Sequence, residues 1–89
     1  MVHMLIRHRV QDFGKWKPVY DAHQQSRAAG GLKDVRLWHS VDDPNDLFLL
    51  FEAVDAARAK AFAGSADLKE KMTAAGVIGR PDIFFLSED

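Results

Sequence analysis

Trp16, Tyr20 and His23 fall four and then three residues apart, so a helix through them sets an indole, a phenol and an imidazole on adjacent turns of one face. Phe13 extends the row backward, and Arg27 sits one turn beyond it. Such a set can line a flat aromatic pocket in which Tyr20 and His23 are the polar tips that orient a ligand. The same spacing also suits a core, with Trp16 and Tyr20 packed inward and His23 hydrogen-bonded among them. Four histidines, His3, His8, His23 and His39, can each titrate near neutral pH. His8 shares strand parity with Met4 and Ile6, which turns it toward an enclosed space. There an imidazole acts as a general base or holds a hydrogen bond.

Other chemistries lack their residues. No H-x-x-x-H or H-E-x-x-H pair is present, and no metal is expected. Ser26 and Ser40 have no G-x-S-x-G elbow, and neither G-x-G-x-x-G nor G-x-x-x-x-G-K occurs to cradle a nucleotide cofactor, so no cofactor is expected. Cysteine is absent, which removes disulfides, thiolate metal sites and cysteine nucleophiles and points to a reducing cytoplasm. Arg7, Arg9 and Arg36 lie on strands, where they could bind an acidic ligand or pair with Glu52 and Asp34.

The elements that position these residues follow from pattern. Val2 to Val10 alternates as a strand, with Met4, Ile6, His8 and Val10 on one side and His3, Leu5, Arg7 and Arg9 on the other. A loose turn over Asp12–Trp16 precedes a helix from about Lys17, with Pro18 in its first turn and Gly30-Gly31 as its stop. Leu32–Val41 and Leu47–Val54 form a hairpin across Asp42–Asp46, carrying Trp38 and His39 near its end. Asp55 caps a helix over Ala56–Ala63 that breaks at Gly64. Ser65 caps a second piece running to about Ala75, in which Leu68 and Met72 share a face. Asp82–Leu86 is the last strand. The order is β-α-β-β-α-β over a single domain, residues 1–89, which suits an α+β, ferredoxin-like fold with a four-stranded antiparallel sheet. In that sheet the third strand separates the first from the second, so His8 and His39 are not neighbours.

Composition limits the partners. Twelve Lys and Arg against thirteen Asp and Glu leave a net charge of −1, without the positive surplus of a nucleic-acid binder or a polybasic membrane module. The longest apolar run, Leu47 to Phe51, cannot span a bilayer, and the N-terminus has no signal-peptide pattern. The chain has 89 residues and 47% hydrophobic content, yet a lone domain of this length hides only about 60% of its unfolded surface. Phe48, Leu50, Phe84 and Leu86 point one way, and Leu47, Leu49, Phe51, Ile83 and Phe85 the other. Two helices cover one face only. A homodimer packed through the bare sheet face is therefore expected.

The run Asp12-Phe13-x-x-Trp16-Lys17-Pro18-x-Tyr20-Asp21-x-His23, with Ala57-x-x-Lys60-Ala61-Phe62, Asp67-Leu68-Lys69, Ala75-Gly76-Val77 and Pro81-Asp82-Ile83, resembles the dimeric α+β barrel superfamily. Within it, the sequence resembles small bacterial proteins with antibiotic-biosynthesis-monooxygenase-like domains. The resemblance covers almost the whole chain. It implies a homodimer with a small-molecule pocket between sheet and helices in each subunit. It also implies, among other activities, oxidation of polycyclic phenols without metal, flavin or haem, or polyketide cyclisation. On that basis Trp16, Trp38 and His39 are expected to bind an aromatic or polyketide-like substrate, with His23, Tyr20 and His8 catalytic. The competing expectation is a non-catalytic, ligand-sensing or stress-related dimeric binding module.

Overall fold

Alternation decides the first strand: in the computed structural model, which describes residues 1–88, β1 spans Val2–Val10 with Met4, Ile6, His8 and Val10 all buried. The chain continues as α1 (Phe13–Ala22), α2 (Gln24–Ala29), β2 (Leu32–His39), β3 (Asp46–Ala53), α3 (Ala56–Ala63), α4 (Ala66–Ala74) and β4 (Val77–Ser87). The strands form one antiparallel sheet in the order β2-β3-β1-β4, the expected α+β, ferredoxin-like arrangement. Each helical limb is broken in two, at His23 and at Gly64-Ser65.

Register sorts the side chains. On the helix-covered face Met4 stands opposite Phe51 and Phe85, and Ile6 opposite Leu49 and Ile83; Met4, Ile6, Leu49 and Phe51 are fully buried. On the other face Leu5 stands opposite Leu50 and Phe84, and Trp38 opposite Phe48. Phe84 stays 50% exposed and Trp38 48%, so that face is apolar and uncovered within one chain. Arg7 also lies there, but its partners differ from those expected. It forms a forked pair with Asp46 at 2.8 and 3.0 Å and reaches Asp82 at 3.7 Å, instead of engaging Glu52. That hydrogen bonding raises the Arg7 pKa and lowers that of Asp46.

Three boundaries differ from expectation by more than a single residue. The first helix begins at Phe13, not near Lys17, because two of its leading N–H groups find acceptors. Gly14 N–H donates to Asp12 Oδ1 at 2.8 Å, and Phe13 N–H donates to Asn45 Oδ1 at 2.8 Å. Pro18 therefore lies inside α1, where it forgoes one hydrogen bond at an exposed position. β2 stops at His39 because Ser40 N–H already bonds the Asp46 carbonyl at 2.9 Å, leaving Val41 97% exposed. β4 starts at Val77 rather than Asp82: Ile78 opposes Arg9 and Asp82 opposes Arg7, so residues 79–81 of β4 face only His8 of β1. Gly79, at φ +70°, and Pro81, which has no N–H to place, occupy this irregularity.

Candidate functional site

The aromatic row on α1 forms as its spacing predicts. Trp16 lies flat on Tyr20, ring centroids 4.6 Å apart and planes within 20°. The Arg27 guanidinium sits 3.7 Å from the Tyr20 ring centre, so the phenol ring is held between an indole and a cation. Arg27 is itself fixed, although only 4% exposed. It donates to both carboxylate oxygens of Asp34 at 3.0 Å and to the Tyr20 carbonyl at 2.6 Å. Asp34 reaches this side of the sheet because β2 shifts register between Asp34 and Arg36.

His8 rises from β1 beneath this stack and meets Trp16 edge-on, centroids 5.7 Å apart and planes at 76°. It is buried, and neither Nδ1 nor Nε2 has a hydrogen-bond partner. Burial pushes its pKa down to about 4, so at neutral pH it is an uncharged imidazole with one N–H and one lone pair to offer. Burial pushes the Tyr20 phenol the other way, up to about 12, and keeps it a protonated donor. His23, at the α1–α2 break, is also buried; its Nε2 lies 2.9 Å from Asp67 Oδ2 in the first turn of α4.

His8, Trp16, Tyr20, His23 and Arg27 all line one cavity between the sheet and the helices. Met4, Leu49 and Phe51 form its floor, with Phe62 from α3 and Leu68 and Met72 from α4 as the outer wall. The space between these walls measures about 470 Å3 up to its open rim, but a water molecule finds room in only about 50 Å3 of it. The lining can stack an aromatic ring, accept a proton or hydrogen bond at His8, and donate one from Tyr20.

Trp38 and His39 are not brought to this cavity. Trp38 lies on the opposite, uncovered face, and His39 is exposed at the end of edge strand β2, its Nδ1 3.0 Å from the Ser40 carbonyl. The chain's one asparagine, Asn45, is committed to capping α1. His8 and His39 are separated by β3, as expected. Among the described residues no three metal-ligating side chains converge, and no helix is long and apolar enough to cross a membrane. The sequence pattern flagged Arg27 by spacing but not its clamp on Tyr20. Asp67 gave no signal beyond its place in the first turn of a helix.

No protein-family profile matches the sequence, and no curated protein does. Solved structures do match over the full length. A protein from Bordetella bronchiseptica assigned as an antibiotic biosynthesis monooxygenase superposes with a TM-score of 0.79 at 15% identity, covering 99% of this chain and 96% of its own. The chain has the antibiotic-biosynthesis-monooxygenase-like fold. The same monooxygenase-like fold is shared with SnoaB, a cofactor-independent oxygenase from Streptomyces nogalater. There the TM-score is 0.73 at 14% identity, covering 98% of this chain and 91% of that one. Rv0793 from Mycobacterium tuberculosis matches at 16% identity with a TM-score of 0.69, covering 98% and 93%. At these identities the likeness is one of fold.

Proposed function

We propose that this protein binds a small planar aromatic or polyketide-like compound in the helix-facing cavity and acts on it as a cofactor-independent monooxygenase or a cyclase. The observation that carries this reading is His8, a buried imidazole with both nitrogens unpaired and aimed among aromatic side chains. Leaving such a group without partners costs about 1–3 kcal/mol, a cost that a substrate phenol or enol would remove. In this reading His8 takes a proton from the activated substrate, and the anion formed in turn stabilises the imidazolium. Tyr20, held protonated, donates to the substrate oxygen while Trp16 stacks on the ring. A cofactor-independent oxygenase of the same fold supports the oxidative version. In the oxidative version proposed for this chain, a substrate methylene becomes a carbonyl: one oxygen atom of O2 enters the product and the other leaves as water with the two hydrogens removed.

The working unit in this proposal is a cytoplasmic homodimer. Leu5, Leu50, Phe84 and Leu86 leave an apolar sheet face that one chain cannot cover, and burying it is worth about 25 cal/mol per Å2. A second reading is a binding module that senses a ligand in the same cavity without transforming it; small-molecule sites usually enclose about 300 Å3 or more, so in either reading the lining must part to admit the ligand. Oxygen uptake on adding a hydroxylated anthrone separates the two. Catalysis predicts O2 consumption with anthraquinone formation, lost in His8→Met; saturable binding with no O2 consumption or product supports the sensor; absence of binding rejects both.

A further inference from the structure

Beneath α4, on the side facing β4, runs a second and larger concavity, with room for water in about 610 Å3. Its floor is apolar, contributed by Val77 and Ile83, and its rim carries two exposed cations, Lys69 from α4 and Arg80 from the irregular stretch of β4. No carboxylate side chain borders it, and neither cation forms an ion pair among the described residues. Met72 is the one residue that lines both this groove and the cavity holding His8. Its half-buried side chain borders both spaces, and an unbranched thioether with three rotatable bonds is the kind of side chain that adapts its shape most readily.

We infer that the groove is the approach to the cavity, that Met72 is its gate, and that Lys69 and Arg80 select ligands pairing an aromatic head with a carboxylate tail. The inference rests on the ligand reading of the cavity proposed above, and it specifies the substrate class further. With the head against Trp16, a flexible tail of a few carbons passes Met72 and runs outward over Val77 and Ile83. The cations meet its charge at the rim, where attraction is strongest at low ionic strength.

The test compares anthracenebutanoate with the neutral anthracenebutanamide, titrated by anthracene fluorescence into the full-length protein. The carboxylate is expected to bind about tenfold tighter at low salt, with the preference shrinking as salt rises. Lys69→Gln with Arg80→Gln should abolish the preference and leave amide affinity unchanged. Met72→Ala should speed association of both probes, and Met72→Phe should slow it. Equal affinities in the wild type, a preference that survives the double variant, or rates indifferent to Met72 would each overturn this inference while leaving the cavity reading standing. Failure of both probes to bind overturns the cavity reading as well.

Discussion

His8 and Trp16 meet nearly at right angles, ring centroids 5.7 Å apart and planes at 76°, while neither nitrogen of His8 has a hydrogen-bond partner. A strand that otherwise buries only Met4, Ile6 and Val10 on this face thus carries one polar group into the apolar interior. The consequences of that placement can be measured.

Stability should depend on pH through His8. Its folded pKa of about 4 lies below the ordinary histidine value of 6.5, so between those limits the unfolded chain binds the extra proton. The contribution is fully present above about pH 6.5 and is lost as pH falls to about 4, on the order of 3 kcal/mol in all. Urea unfolding from pH 7 to pH 4 should show this loss in the wild type and a flatter profile in His8→Met. Parallel profiles would mean that His8 is already charged or solvated in the fold.

Trp16→Ala should destabilise by about 3–5 kcal/mol, since it empties the space between His8, Phe13 and Tyr20. In a domain of this size each 1 kcal/mol lowers Tm by about 4–8 °C. Trp38→Ala, on the uncovered face, should cost the isolated protomer no more than about 1 kcal/mol. Calorimetry on both variants in dilute solution checks the contrast, which would fail if the two lost similar stability.

Asp67→Ala removes the hydrogen-bond partner of His23 and with it the polar tie between the α1–α2 break and α4. Asp67 is largely exposed, so global stability should change by less than about 1 kcal/mol. Amide exchange should nevertheless quicken in α4, around Leu68 and Met72. Unchanged exchange there would show that apolar packing alone holds the helix.

Phe84→Glu places a charge in the middle of the exposed apolar face while touching nothing in the helix-covered core. Light scattering at micromolar concentration should give a dimer for the wild type and a monomer for the variant. A wild type that remains a folded monomer would contradict assembly through this face.

What the sequence made legible was local. The alternation of β1, the helical row through Trp16, Tyr20 and His23, and the caps Asp55 and Ser65 are set by neighbours within a turn or a strand, and all appear as read. What it hid was non-local. The start of α1 depends on Asn45, 32 residues away in sequence, and the early start of β4 depends on an irregular pairing with β1. Trp38 and His39 pattern well as site residues, yet strand order and face exclude them from the cavity. That His8 lacks partners, and that Arg27 clamps Tyr20, follow from how α2 and α4 settle over the sheet, which no spacing rule encodes.

The central claim is that the cavity around His8 receives the ligand. The most direct test is nitrogen NMR of the His8 imidazole during titration with a hydroxylated anthracene. The account predicts a saturable shift of the His8 ring signals, with its pKa displaced from about 4 as the phenol engages a nitrogen that has no partner. A ligand that binds while the His8 signals and pKa stay fixed would place the site elsewhere and contradict the account.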